Sequence, residues 1–261
     1  MTYVDLSIPL DLEGPQANLY GLARASRNPV SNASFTGSVA AGGSCNVDVL
    51  QVNPHCNGTH TECVGHITAE PVSLYDVWTP RPLRARVITL TGQPSDGAEH
   101  SRPAIPSGTP VLTANELAQA LGGSAEDVAQ SGLEALIVRT HTGPREALLR
   151  TYDANDVLFF TVEAAAFLRA AGVAHLLVDL PSLDRLFDDG EMAAHRAYWG
   201  MAMGATTPDR NAPGPDPLRQ TITEFIHVPV FLDDGWGTLD LQIAPFVADA
   251  APSRPVFSPD P

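Results

Sequence analysis

The sequence predicts an α/β fold in one domain, and three observations carry that expectation. Residues 159–184 (FFTVEAAAFLRAAGVAHLLVDLPSLD) run from an apolar strand ending at Phe160, through a helix opened by Thr161 and stopped near Gly172, into a second strand, VAHLLVDL. Strand, helix and strand in that order mark a parallel crossover. Other β-rich runs lie on both sides of this unit, with no internal repeat of useful length. Finally, 261 residues with 44% hydrophobic content and no break in composition suit one large core, so residues 1–261 read as a single domain.

Taken in chain order, YVDLSIPL (Tyr3–Leu10) is β-rich and ended by proline, and reads as a first strand. Residues 11–43, rich in Gly, Ala, Ser and Asn, form a long excursion over a surface or cleft. VDVLQV (Val47–Val52) alternates polar and apolar and reads as a strand. ARVITLT (Ala85–Thr91) and EALIVRT (Glu134–Thr140) are further strands. Between them, 92–110 is dense in Pro, Gly and Ser and reads as a loop, after which Thr113 with Glu116 gives a capping-box start to a helix. Glu191–Met201 is helical in pattern, and 204–219 is a proline-rich loop. ITEFIHVPVFL and LDLQIAPFVAD supply two late strands, and the tail APSRPVFSPDP carries too many prolines to extend a regular element.

A formal net charge of −15 and a pI near 4.7 repel phosphate backbones and anionic lipid surfaces, which excludes nucleic acid and membrane as expected partners. No run reaches the roughly 18 apolar residues of a membrane helix. The start MTYVDLSIPLDL lacks the basic and apolar regions of an export signal, and three cysteines without such a signal read as free or metal-bound thiols in a cytoplasmic protein. There is no Gly-x-Ser-x-Gly elbow and no phosphate-cradling glycine loop, which sets aside serine-hydrolase and nucleotide-binding readings.

The chemistry concentrates in residues 55–66, HCNGTHTECVGH, where three of eight histidines and two of three cysteines meet a glutamate. Ligands to one metal must converge within about 2.0–2.3 Å of it. Cys56, His60, Glu62 and His66 cannot converge on an extended strand, where residues 56 and 66 stand about 30 Å apart. A helix fails as well, because the 56/60 and 62/66 pairs point about 240° apart. The chain must turn, and Asn57-Gly58 is the turn dipeptide. Single histidines are usually just hydrogen-bonded side chains; four potential ligands around one turn favour a metal or catalytic site. Glu224, an acid in an apolar strand, needs a partner that a metal or a histidine supplies. Asp179, Ser182 and Asp184 could form a catalytic set, but a strand-end turn that caps the next helix accounts for them and is the favoured reading. His100, His141, His175 and His227 read as structural, and Cys45 and Cys63 as small buried residues.

These residues resemble the metal-dependent cyclase/kynurenine formamidase family, whose signature is H-x-G-T-H-x-D-x-P-x-H. GTH (Gly58–His60), the acid Glu62 and His66 carry the likeness, with DLS (Asp5–Ser7), DLPSLD (Asp179–Asp184), His195, TEF (Thr223–Phe225) and SRPV (Ser253–Val256) in the family's order. Cys56 stands where the family has histidine, Glu62 where it has aspartate, and Val64-Gly65 where it has proline and a variable residue.

The resemblance implies an α/β domain with a mixed β-sheet and flanking helices of the swivelling β/β/α type, assembled as a homodimer or higher homo-oligomer. It implies metal ligands at Cys56, His60 and Glu62, with His195 and Glu224 completing a second position or supporting the first, and His66 as general base and acid. One or two ions per chain are expected, Zn2+ first because Cys and His suit it, Mn2+ second. The implied activity is that of an arylformamidase of tryptophan catabolism: a metal-activated water attacks the amide carbonyl of a small-molecule substrate such as N-formylkynurenine, and His66 moves the proton. Opening of a cyclic amide such as isatin, or a related cyclase reaction, is the alternative within the enzyme class. A family member that binds metal or ligand without turnover is the alternative outside it. His66, useless to a mere metal holder, favours catalysis.

Overall fold

The structure, a computed structural model, describes residues 2–101 and 103–261. Met1, the first residue of MTYVDLSIPLDL, and Arg102, in the 92–110 loop, lie outside the described residues. The main sheet has eight strands: β1 (Val4–Asp5), β2 (His60–Cys63), β3 (Pro82–Thr89), β4 (Ala135–Arg139), β5 (His175–Val178), β6 (Thr221–Glu224), β7 (Gly235–Ile243) and β8 (Ala250–Pro259). Their order is β1-β8-β7-β3-β4-β5-β6-β2, and β2 also pairs with β8, so seven strands close on themselves. The β3–β4, β4–β5 and β5–β6 pairs are parallel and the rest antiparallel. The expected mixed α/β architecture is present; its closure into a barrel-like sheet is a feature the sequence did not announce.

Closure gives the sheet an inside and an outside. Leu83, Ala85, Val87, Ala135, Ile137 and Leu177 pack inside with Leu239, Leu241 and Phe257. The alternate residues Ile88, Leu136, Val138, Leu176, Val178 and Ile222 face outward, as the two-residue period of a strand requires. Helices α3 (Ala114–Leu121), α4 (Ala125–Ala129), α5 (Val162–Ala170) and α6 (Ala193–Trp199) cover them through residues such as Leu117, Val128, Leu168 and Trp199. Two single-turn helices, α1 (Pro54–Asn57) and α2 (Leu74–Val77), flank β2.

Several expected elements differ in detail, each for a local reason. The Thr113 hydroxyl accepts from the Glu116 N–H as an N-cap should, but the Glu116 carboxylate turns away to the N–H groups of Thr91 and Gly92. The full capping box lies one helix later, between Ser124 and Asp127. The run ending at Phe160 is only a bridge to Leu112, and the parallel crossover joins β4 to β5 through α5. Val47–Val52 pairs as Asp48–Gln51 with Ser26–Pro29, outside the main sheet. The tail read as irregular is instead β8, the longest strand. Its prolines are accommodated through their carbonyls: Pro252 accepts from the Ala244 N–H and Pro255 from the Leu6 N–H. Cys63 is buried as expected, but Cys45 is exposed, and all three cysteines are free. Among the described residues, no helix is long and apolar enough to cross a membrane.

His175 opens β5, buried against Trp78 and hydrogen-bonded to the Thr221 hydroxyl (2.9 Å). Burial, reinforced by Arg81, pushes its imidazole down from 6.5 to about 4. A depressed histidine binds its proton more readily in the unfolded chain, so stability is full above pH 6.5 and falls as pH drops toward 4. Over that window the wild type should lose about 3 kcal/mol more unfolding free energy than His175→Gln, measured by urea denaturation at pH 7, 5.5 and 4.5.

Candidate metal centre

The centre forms on the outer face of the closed sheet, where β2 runs between β6 and β8. Upstream, Pro54 starts α1 at a position that needs no N–H donor, and the Asn57 amide oxygen accepts from the Asn53 N–H to close the turn (2.7 Å). Gly58 then takes φ 148°, ψ −161°, a conformation open only to glycine, and redirects the chain into β2. A Cβ there would meet no neighbouring atom, so the requirement is one of backbone, not space. The expected turn at Asn57-Gly58 is therefore present.

In β2, His60 lies opposite Glu224 and Glu62 opposite Ile222. Ile222 belongs to the outer layer, so alternation turns His60, Glu62 and Glu224 outward, while Thr61 and Thr223 face inward and bond each other through their hydroxyls (2.8 Å). Directly after Glu224, Phe225 adopts φ 54°; its carbonyl accepts from the Thr59 hydroxyl, which ties the ends of β2 and β6 together. A 3-10 turn, Val64–Ile67, folds His66 back over Glu62. That turn passes close to its neighbours. A Cβ on Gly65 would stand 2.2 Å from the Val72 carbonyl oxygen and 3.1 Å from the Asp249 Cβ, which accounts for glycine where the family pattern has a variable residue.

Among the described residues, two groups of three side chains could each hold a cation, with ligand atoms within 4.8 Å of one another: His60, Glu62 and Glu224, all buried, and His55, Glu62 and His66, nearer the surface. Glu62 belongs to both. His195, from α6, donates through Nε2 to Glu62 Oε1 (3.0 Å) and stands 3.5 Å from Glu224 Oε1. Its Nδ1 is bound to Asp184 (2.5 Å), whose carboxylate also accepts the Ala194 and His195 N–H groups at the start of α6. Glu224 Oε1 is further held by the Leu183 N–H (2.8 Å).

The electrostatics is that of carboxylates braced by imidazoles. Burial alone would raise the Glu62 carboxyl, but His66, His195 and His55 outweigh it and hold it well below the usual carboxylate range. Burial and the Glu62 charge push Glu224 up, yet His195 brings it below its ordinary value. Burial lowers the His55 imidazole, and its bonds to Asp249 and Glu62 reverse that, raising it to about 10. His195, buried but bonded to Asp184, Glu224 and Glu62, is raised well above 6.5.

The donor set fits a divalent cation. His60 Nδ1 donates to the Gly58 carbonyl (2.9 Å), which leaves a lone pair on Nε2. That atom is buried without a hydrogen-bond partner and faces Glu224 Oε2 at 3.5 Å. A lone pair aimed at carboxylates inside a protein calls for a positive charge between them.

Of the residues expected from sequence, His60, Glu62, Glu224, His195 and His66 come together here. Cys56 joins neither group: it packs with Ile8, Leu19, Leu148, Tyr152 and Phe225, and burial with the nearby Glu224 raises its thiol. Its neighbour His55 turns to the centre instead, because the helical turn of α1 absorbs one residue relative to the family spacing. Asp249 carries no signal in the sequence, and for Asp184 the capping role is favoured there over a catalytic one, whereas it binds His195 Nδ1 as well. HCNGTH did contain the signal for His55; VADA around Asp249 contains none.

The family model described as "Cyclase: Putative cyclase" matches residues 4–185. No curated protein matches. Among solved structures, isatin hydrolase A from Ralstonia solanacearum is 15% identical and superposes with a TM-score of 0.63, over 99% of this chain and 92% of that one. Isatin hydrolase A from Labrenzia aggregata gives 16% identity and 0.62, over 98% and 93%. A predicted metal-dependent hydrolase from Bacillus stearothermophilus gives 14% and 0.53, over 98% and 97%.

Proposed function

The chain belongs to the Cyclase family, and on that premise we propose that it is a metal-dependent hydrolase of an aryl amide C–N bond, with an N-aryl formamide as the first substrate class. The observation that carries this reading is the buried, unpartnered Nε2 of His60 set against Glu62 and Glu224, with His66 above them on the accessible rim.

His60, Glu62 and Glu224 would hold the cation. Bound there, it lowers the pKa of water toward neutrality and polarises the amide carbonyl. His66, with Nε2 3.8 Å from Glu62 Oε2 and part of its ring open to solvent, takes the proton of the attacking water and returns it to the leaving nitrogen. His195, fixed by Asp184, orients the Glu62 carboxylate. Beside His60, the Phe225 ring of the buried apolar cluster stands 6.3 Å from the imidazole. With Cys56 outside both groups, their donors are nitrogen and oxygen only, which brings Mn2+ level with Zn2+. Opening of a cyclic aryl amide is the second reading, favoured by the isatin hydrolases among the similar folds; the same residues serve it.

Elemental analysis of the purified protein tests the reading. At least one divalent ion per chain is expected, lost in His60→Ala and kept in Cys56→Ala. His66→Ala should keep the ion but lose about 10²–10⁴-fold in kcat on N-formylkynurenine or isatin. A wild type that neither carries nor takes up Zn2+ or Mn2+ would overturn the hydrolase reading.

A further inference from the structure

Asp249 lies just before β8, outside every sequence motif, yet two imidazoles converge on it. Its Oδ2 is 2.9 Å from His55 Nε2 and 3.6 Å from His66 Nδ1. The opposite nitrogens of both rings face one oxygen of Glu62: His55 Nδ1 at 3.1 Å and His66 Nε2 at 3.8 Å from Oε2. The rings are stacked, with centroids 4.2 Å apart and planes 28° apart, so they form two parallel struts between an outer and an inner carboxylate. The Asp249 backbone is itself anchored, its carbonyl accepting from the Cys63 N–H at the end of β2 (3.0 Å).

We propose that Asp249 is a positioning residue that sets which nitrogen of His55 and of His66 carries the proton. In the metal-free chain both Asp249 and Glu62 can accept from His55; with a cation engaging Glu62, Asp249 is the carboxylate left to accept, which places the ring N–H on the side that faces it: Nε2 of His55 and Nδ1 of His66. The lone pairs of His55 Nδ1 and His66 Nε2 are thereby directed at Glu62 and the cation seat. His66 thus presents the nitrogen a general base needs, and His55 presents a ligand atom to the outer group it forms with Glu62, next to the His60–Glu62–Glu224 seat. One surface carboxylate governs both. The inference rests on the cation reading above, because without a cation the inward lone pairs have nothing to meet.

Zinc-loaded protein with ¹⁵N-labelled histidine, compared between wild type, Asp249→Ala and Asp249→Asn, tests it. Two-bond ¹H–¹⁵N spectra read the tautomers, and chelator competition reads zinc affinity. In the wild type, His55 should carry its proton on Nε2 and His66 on Nδ1. Asp249→Ala should mix the His66 tautomers and weaken zinc binding by about 10–100-fold. Asp249→Asn, whose amide oxygen can still accept, should restore most of both and serves if the alanine variant does not fold. A wild-type His66 protonated on Nε2, or tautomers and affinity unchanged in a folded Asp249→Ala, would overturn the role of Asp249 alone. A wild type that takes up no zinc would overturn the cation reading, and this role with it.

Discussion

Glu62→Gln is expected to destabilise the metal-free protein by about 3–5 kcal/mol and to weaken cation binding by roughly 10²–10³-fold. The substitution keeps shape and removes only charge. In the native chain the buried Glu62 carboxylate accepts from His195 and His55 and stands near His66. Removing its charge leaves His195, fully enclosed, with one fewer counter-charge, and deprives both ligand groups of their shared member. The pH dependence has a definite sign. His195 titrates above 6.5 in the folded chain, so its contribution is complete below pH 6.5 and is lost as pH rises through the folded value. The stability gap between wild type and Glu62→Gln should therefore be widest near pH 6 and shrink under alkaline conditions. Urea unfolding of EDTA-treated protein at pH 6 and pH 10 reads it. A gap that is constant across that range would mean the Glu62–His195 pair is not charged as described.

Asp184→Ala is expected to cost about 3–5 kcal/mol as well, because it breaks a buried pair by removing one partner. Asp184 does two jobs at once: it binds His195 Nδ1 and caps the Ala194 and His195 N–H groups at the head of α6. Asp184→Asn separates them. An amide oxygen can still accept from α6, so the capping part, about 1 kcal/mol, should return, while the charge that braces His195 does not. Thermal unfolding of both variants, alongside zinc titration, distinguishes a helix cap from a support of the centre. If Asn restores everything, the capping role read from sequence suffices.

How much of this was legible in the sequence follows from how local each feature is. The α5 helix was readable because Thr161 caps it, Gly172 stops it and the strand after it is apolar beyond its first residue, His175. His60, Glu62 and His66 were readable because one turn and one short strand bring them together. Glu224 and His195 lie far from that stretch in the chain and were found through family order, not spacing. Asp249 was invisible, since its role depends on β8 pairing with β2, a contact between segments about 190 residues apart. The same long-range pairing explains the misread tail: prolines argue against a strand locally, and only the partners on either side show that their missing N–H groups are not needed. At position 56 the spacing misled, because α1 shifts the inward-facing residue by one.

The closure of the sheet also sets an order of events during synthesis. When β2 emerges from the ribosome, neither of its neighbours has been made: β6 follows about 160 residues later and β8 about 190 residues later. Until both arrive, the GTHTE segment sits in a chain with no sheet to join, and its histidines and carboxylates have no fixed geometry. Such distant pairings make folding slow and leave strand edges exposed in the meantime. The centre is thus completed among the last parts of the molecule, after the helices that cover it have their sequence in hand.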